Sequence, residues 1–237
     1  MSWPRAILFD LDGTLVHSAP DITDTLNILL DQEGIDPFGV EDVSTMIGGG
    51  VSLLIERALT ARDVAWDDDR VAELFTRYVE LYVPRAARLT RLFPGVQEVL
   101  EHHHGNDVRL GVCTNKPEGV SRNILEALDV SHFFGAVIGG DTLAVKKPDP
   151  APLLAALDKL ACAPADALMI GDSPADADAA KAAGVPVVLV TFGYTRVPVH
   201  QLENHGLIDH FSELNGMITS IGATRMSNPG DALPAGE

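Results

Sequence analysis

The run Ala6-Ile7-Leu8-Phe9-Asp10-Leu11-Asp12-Gly13-Thr14-Leu15 decides the fold. Its first four residues are apolar, which is typical of a buried parallel strand. Gly13 permits a tight turn and a close approach of the backbone to an anion. The run therefore predicts a strand that delivers two carboxylates, those of Asp10 and Asp12, into a glycine turn.

The composition predicts a soluble globular protein. The chain has 237 residues, 46% of them hydrophobic and 22% charged, which is enough for one or two cores. Its net charge of −17 disfavours nucleic acid and anionic membranes as partners, because both attract basic surfaces. No segment approaches ~20 apolar residues and no signal-peptide core precedes Asp10, so we expect a cytoplasmic location. Cys113 and Cys162 provide no disulfide framework.

Short apolar runs alternate with helix-like segments along most of the chain. Leu153, Leu154, Leu157 and Leu160, for example, share one face of a helix that could cover a sheet. This alternation predicts an α/β fold, a Rossmann-like parallel sheet core with helices on both faces. The predicted strands lie at 6–9, 108–113, 136–139, 167–170 and 186–190.

The alternation is interrupted after the first strand. From about Val16 to Leu92 no strand pattern is present, and apolar residues such as Ile22 and Leu26 follow helical spacing. We therefore expect an inserted all-helical cap domain at 17–92, a core domain at 1–16 and 93–221, and a disordered tail at 222–237. The cap is a candidate lid over the ligand crevice.

A glycine triplet, Gly48-Gly49-Gly50, lies inside the predicted cap. Two interpretations stay open for it. It can form a flexible loop over a substrate, or it can be an ordinary turn at the end of a helix.

Four polar islands follow or neighbour predicted strand ends, so the sheet would bring them to one edge. Thr114 and Asn115 can donate hydrogen bonds to phosphoryl oxygens, although forming a turn explains them equally well. Lys147 can neutralise negative charge, although a lysine before a proline is more often a solvated loop residue. The islands are Asp10-Leu11-Asp12-Gly13-Thr14, Thr114-Asn115-Lys116, Lys146-Lys147-Pro148-Asp149-Pro150 and Gly171-Asp172-Ser173-Pro174-Ala175-Asp176.

The fourth island completes an oxygen-rich site. Asp172 follows an apolar strand and would face Asp10 and Asp12, an arrangement suited to Mg²⁺ because three carboxylates need a cation between them. Ser173 and Asp176 have the spacing of a helix-capping pair. Because Asp176 can cap the helix and also orient a metal-bound water, we expect only an outer-shell metal role for Ser173 and Asp176.

In order and spacing, the islands resemble the motifs of the haloacid dehalogenase superfamily of phosphohydrolases, over almost all of residues 5–215. A finer resemblance is to the phosphoglycolate phosphatases. It depends on Ser18-Ala19-Pro20-Asp21, Ile47-Gly48-Gly49-Gly50, Gly139-Gly140-Asp141-Thr142 with Lys146-Lys147-Pro148, and Ala179-Ala180-Lys181-Ala182-Ala183-Gly184. His17 departs from this pattern, because that family commonly carries Asp at this position.

The resemblance implies a mechanism and a set of site residues. Asp10 would attack phosphorus to form an aspartyl phosphate, and Asp12 would act as acid and then as base. Mg²⁺ would bind Asp10, Asp12 through its backbone carbonyl, and Asp172. The phosphoryl oxygens would be held by Thr114, Asn115 and Lys147. The implied substrate is a small phosphorylated metabolite, first of all 2-phosphoglycolate.

Several alternatives stay open at this point. Within the superfamily they are a pyrophosphatase, a nucleotidase, another small-metabolite phosphatase and a phosphosugar mutase. A receiver-like signalling module or a non-catalytic phosphate-binding protein represents a different class. One arginine of the predicted cap can bind a substrate carboxylate, but the sequence does not indicate which. The oligomeric state, monomer or homodimer, is also open.

Overall fold

A six-stranded parallel sheet forms the centre of the computed structural model, which describes residues 3–227. In chain order the strands are β1 (Ala6–Phe9), β2 (Val16–His17), β3 (Arg91–Leu92), β4 (Arg109–Cys113), β5 (Phe134–Ile138), β6 (Ala167–Gly171), β7 (Val187–Val190) and β8 (Gly206–Ile208). The order across the sheet is β5-β4-β1-β6-β7-β8, and each neighbouring pair is parallel. The predicted parallel α/β core is confirmed.

The helices divide into two groups along the chain. Four of them lie between β2 and β3, and the others alternate with or follow the strands of the sheet. They are α1 (Ala19–Gln32), α2 (Val40–Ser44), α3 (Val51–Ala61), α4 (Asp68–Tyr82), α5 (Val96–Gly105), α6 (Glu118–Ala127), α7 (Ala151–Lys159), α8 (Pro174–Ala183) and α9 (Leu214–Ser227). Short 3-10 turns occupy Ser131–Phe133, Pro164–Asp166, Val199–Gln201 and Phe211–Glu213. None of the described helices is both long enough and apolar enough to span a membrane.

Alternating side chains of β1 enter two hydrophobic cores, because successive residues of a strand face opposite sides of the sheet. Ile7 and Phe9 belong to the core that contains residues of α5 and α6. Ala6 and Leu8 belong to the core that contains residues of α7 and α8. Helices therefore cover both faces of the sheet, as the sequence predicts.

The inserted segment begins and ends in a two-residue antiparallel pair that the sequence does not predict. Val16 of β2 pairs with Leu92 of β3, and His17 pairs with Arg91. Two residues are too few to show a strand periodicity. The pair holds together the two points where the chain leaves the sheet region and returns to it.

The prediction of a disordered tail from residue 222 is wrong for residues 222–227, because α9 continues to Ser227. Ile218 and Ile221 are buried on this helix, and Arg225 Nη2 donates a hydrogen bond to the carbonyl of Ala165 at 2.7 Å. The guanidinium of Arg225 also lies 5.3 Å from the ring centroid of Trp3. These contacts hold in place a segment whose composition predicts disorder. The rest of the predicted tail lies outside the described residues.

Candidate active site

Three strand ends meet at the carboxyl edge of the sheet. β1 lies between β4 and β6, so the residues that follow these strands, Asp10, Thr114 and Asp172, become neighbours. All three are buried. The backbone N–H of Asp10 still donates to the carbonyl of Ile170 at 2.9 Å, which fixes its position beside β6. The topology thus places the first, second and fourth polar islands together, as predicted.

Gly13 shapes the turn that follows Asp10. Its φ is +86°, in the region that favours glycine, and its N–H donates to the carbonyl of Val16 at 3.0 Å. A Cβ added at Gly13 would lie 2.5 Å from Oδ2 of Asp172. Glycine is needed here both for the turn and for the room that the Asp172 carboxylate occupies.

Lys147 is the buried counter-charge of the cluster. Its Nζ donates to Oδ1 of Asp10 at 2.8 Å, to Oδ1 of Asp176 at 2.5 Å and to the carbonyl of Cys113 at 2.7 Å. Burial lowers the pKa of Lys147, but the facing carboxylates of Asp10 and Asp176 outweigh it and raise this pKa above its ordinary value. The lysine is therefore a cation whose three hydrogens are all directed at protein oxygens.

Asp176 is enclosed by donors. Besides Lys147 at Oδ1, its Oδ2 accepts hydrogen bonds from the N–H of Asp172 at 3.2 Å, from the N–H of Ser173 at 3.1 Å and from Oγ of Ser173 at 2.6 Å. Ser173 is the N-cap of α8, so the predicted capping pair is confirmed. With both oxygens engaged, Asp176 supports the cluster by orienting Ser173 and Lys147.

The residues present fit a divalent cation. Asp10, Asp172 and Asp176 each bring a carboxylate oxygen within 4.8 Å of the others. Burial raises the pKa of Asp10 to about 6, and burial together with the charges of Asp176 and Asp10 raises that of Asp172 well above its usual range. Among the described residues, Oδ2 of Asp10 and Oδ1 of Asp172 have no hydrogen-bond donor. Two such hard oxygens are suited to Mg²⁺, which would relieve their repulsion.

Asp12 is not part of this group of three carboxylates, and it pairs with Lys116, a residue to which the sequence pattern assigned no role. Lys116 Nζ lies 3.0 and 2.9 Å from the two carboxylate oxygens of Asp12, and Ser18 Oγ donates to Oδ1 at 2.6 Å. Lys116 is buried and also lies 4.7 Å from the ring centroid of Tyr82. The one available signal was its place beside Thr114 at a strand end.

Thr114 and Asn115 occupy different positions relative to the cluster. Thr114 Oγ1 accepts the N–H of Lys116 at 3.2 Å, which leaves its hydroxyl hydrogen able to donate. Asn115 Nδ2 donates to the carbonyl of Lys147 at 2.9 Å, and its Oδ1 is buried without a partner among the described residues. Asn115 thus holds the Lys147 loop against the end of β4.

Tyr194, which no sequence pattern marks, connects the cluster to the start of the inserted segment. Its N–H donates to Oδ2 of Asp172 at 2.6 Å. Its hydroxyl lies 2.8 Å from Nδ1 of His17 and accepts the N–H of Ala19 at 3.1 Å. His17, the departure from the family pattern, therefore contacts Tyr194 beside the β2–β3 pair, and among the described residues it makes no hydrogen bond to the carboxylates.

A cavity of about 90 Å³ lies between the carboxylates and the inserted helices. Its helical side is apolar, with side chains such as Leu54 and Tyr82, and its floor contains Asp10 and Asp12. Gly48 and Gly50 line it, and Gly50 is also the N-cap of α3 with a φ of +93°. The interpretation of the triplet as a turn at a helix terminus is confirmed, since Gly50 precedes the first turn of α3, and the flexible loop over a substrate stays a prediction.

Comparison with known proteins agrees with this arrangement. A family model described as "Haloacid dehalogenase-like hydrolase" matches residues 7–190. A protein named phosphoglycolate phosphatase from Cereibacter sphaeroides (strain ATCC 17029 / ATH 2.4.9) is 45% identical, covering 91% of this chain and 98% of its own length. The fold, the carboxylate site and these relatives define the class: the chain is an α/β phosphatase. It belongs to the haloacid dehalogenase-like hydrolase family.

Solved structures show the same similarity. A predicted phosphoglycolate phosphatase from Haemophilus somnus 129PT superposes with a TM-score of 0.84 at 32% identity, covering 92% of this chain and 99% of that one. A CbbY mutant from Rhodobacter sphaeroides, in complex with xylulose-(1,5)bisphosphate, superposes with a TM-score of 0.72 at 27% identity, covering 89% and 96%. Membership of a phosphatase family excludes the receiver-like module and the non-catalytic binding protein as interpretations.

Proposed function

We propose that this phosphatase hydrolyses 2-phosphoglycolate to glycolate and phosphate, with Mg²⁺ as cofactor and Asp10 as nucleophile. The carrying observation is the buried cluster in which Asp10 faces Lys147 and Asp172 at the carboxyl edge of the sheet. The names of relatives up to 45% identical support the substrate.

The proposed reaction has two displacements. An oxygen of Asp10 forms a bond to phosphorus while the bond from phosphorus to the leaving oxygen breaks, and Asp12 gives its proton to that oxygen. Asp12 then takes a proton from a water molecule that attacks phosphorus, and the bond from phosphorus to Asp10 breaks to release phosphate. When bound by Asp10, Asp172 and the carbonyl of Asp12, Mg²⁺ supplies positive charge to the phosphoryl oxygens.

Protein groups complete the proposed site. The Thr114 hydroxyl donates to a phosphoryl oxygen, and Asn115 acts mainly by holding the Lys147 loop. Lys147 neutralises the nucleophile and would shift a hydrogen bond from a protein oxygen to phosphate as charge develops. Ser173 and Asp176 act from the outer shell.

We further propose that segment 17–92 is a cap domain that closes over the substrate. Two basic residues from outside this segment donate hydrogen bonds to its glycine-rich loop and to the residues just before it. Lys146 Nζ donates to the carbonyl of Gly49 at 3.1 Å, and Arg196 donates to the carbonyl of Thr45. These contacts bring the loop beside the cavity mouth, where closure would exclude water from the aspartyl phosphate.

A substrate panel tests the proposal. The purified protein is assayed with Mg²⁺ on 2-phosphoglycolate, pyrophosphate, nucleoside monophosphates and sugar phosphates, with Asp10→Asn as the control. We expect 2-phosphoglycolate to give the highest kcat/KM, EDTA to abolish turnover, and Asp10→Asn to be inactive. Preference for another substrate would assign the pyrophosphatase, nucleotidase or mutase alternative, whereas full activity of Asp10→Asn would refute the mechanism. The cytoplasmic location and the oligomeric state stay predictions.

A further inference from the structure

The cavity contains two cations among the described residues that line it, Lys116 and Lys147. Lys147 lies at the base of the site, where its ammonium is fully hydrogen-bonded beside the nucleophile. Lys116 lies on the side of Asp12, where a leaving oxygen must depart. Within this cavity Lys116 is therefore the lysine on the side of the leaving group, whereas Lys146 lines the neighbouring groove and donates to the carbonyl of Gly49 at 3.1 Å.

None of the arginines of segment 17–92 lines this cavity. Arg57, which borders the neighbouring groove, donates to the carbonyls of Met46 and Ile47 at 2.8 and 3.4 Å. Arg70 and Arg77 pair with glutamates on the helix surface. Within this cavity, therefore, no arginine of the segment is available to a substrate carboxylate.

The surroundings of Lys116 suit the binding of one carboxylate. Its side chain is 6% exposed, it faces the ring of Tyr82, and its ionic partner is the carboxylate of Asp12. Its ammonium contacts both oxygens of that carboxylate, as it would contact both oxygens of a bound ligand. The helical side of the cavity is largely apolar, so this ion pair is the charged feature that a leaving group would meet there.

We propose that Lys116 recognises the carboxylate of the leaving group, and that this carboxylate replaces Asp12 as the partner of Lys116 when the substrate enters. The inference rests on the proposed function and specifies how its substrate is selected. The exchange frees the Asp12 side chain, still held by Ser18, to meet the leaving oxygen. A leaving group without a carboxylate leaves Asp12 paired with Lys116 and is turned over more slowly.

The test compares two phosphomonoesters that differ at one end. 2-Phosphoglycolate carries a carboxylate where 2-hydroxyethyl phosphate carries a hydroxymethyl group. We expect the wild-type protein to prefer the first, and Lys116→Met to lower the ratio of the two kcat/KM values about 100-fold, as losing a charge-assisted hydrogen bond would. Lys116→Arg should retain most of the preference. Lys159→Met, with the same charge change on the exposed surface of α7, should leave the ratio unchanged.

Each other outcome has a distinct meaning. If Lys116→Met slows both substrates equally, Lys116 serves Asp12 alone and the inference is wrong. A collapse of the ratio in Arg57→Met instead would place recognition on the inserted segment and also overturn it. Lack of any preference in the wild-type protein refutes the proposed substrate, whereas a preference that survives in Lys116→Met refutes this inference only.

A measurement on the wild-type protein covers the case in which the Lys116 variants do not fold. With p-nitrophenyl phosphate as substrate and Mg²⁺ in excess, glycolate should inhibit competitively, whereas ethylene glycol, which lacks the carboxylate, should not. Equal inhibition by the two compounds, or inhibition by neither, would overturn the inference.

Discussion

Replacing Gly13 by alanine should disturb the carboxylate cluster and lower activity by more than the loss of stability explains. The φ of +86° costs an alanine about 1–2 kcal/mol. The new Cβ would also lie 2.5 Å from Oδ2 of Asp172, so the carboxylate must move by about 1 Å to reach ordinary contact distance. Asp172 has little freedom to do so, because the N–H of Tyr194 holds the same oxygen at 2.6 Å.

Both effects of Gly13→Ala are measurable. The melting temperature should fall by roughly 2–8 °C, which follows from the strain energy and the chain length. The kcat/KM on 2-phosphoglycolate should fall about 100-fold, because a displacement of this size near reacting groups costs about that much. The Mg²⁺ concentration needed for half-maximal activity should rise as well.

Gly34→Ala is the matched control for this prediction. Gly34 also has a positive φ, +69°, but a Cβ there meets nothing within 4 Å. We expect it to lower the melting temperature by a similar amount and to leave kcat/KM unchanged. An activity of Gly13→Ala as high as that of Gly34→Ala would refute this prediction, because the carboxylate would then tolerate the added methyl group.

Three further perturbations test other contacts. Lys147→Met leaves buried carboxylates without their counter-charge, so it should lower the free energy of unfolding by about 3–5 kcal/mol. Urea unfolding without metal measures this, and an unchanged midpoint would contradict the role of Lys147 as counter-charge. The buried Asp21 carboxylate accepts hydrogen bonds from the N–H and from Oγ1 of Thr90, both at 2.7 Å. Asp21→Asn weakens these bonds and should lower the free energy of unfolding by about 2 kcal/mol in the same assay. Burial lowers the pKa of His103 to about 4, so the folded protein binds fewer protons than the unfolded chain. The free energy of unfolding of the protein should therefore decrease as the pH falls from 6.5 towards 4. In His103→Gln this decrease should be smaller.

The sequence predicted what local patterns encode. The apolar run before Asp10 indicated β1, and similar runs indicated β4 to β7 within a few residues of their ends. β8 was missed because three residues, Gly206–Ile208, show no periodicity, and their pairing with β7 supplies the strand. The end of α9 was missed because Arg225 is stabilised by contacts with distant residues, which composition does not report.

The sequence predicted the site residues that follow strand ends and carry reactive side chains. It did not predict residues that join the site through contacts with distant parts of the chain. Strand ends brought Asp10, Thr114 and Asp172 together as expected. Lys116 received no role because its bond to Asp12 spans 104 residues. Tyr194 was missed because it holds Asp172 through its backbone N–H, and every residue other than proline has one.

The two aspartates of the opening run have different surroundings because the turn gives them different lysines. Asp10 stays beside β6 and faces Lys147, whose other partners are fixed protein oxygens, so its position is constant. Asp12, beyond the strand, faces Lys116, which also lines the cavity and whose partner, in our proposal, is replaced by the substrate carboxylate. A nucleophile needs the first environment and a proton carrier the second. This difference in surroundings supports the proposed assignment of Asp10 as nucleophile and Asp12 as acid and base, which the family resemblance implies.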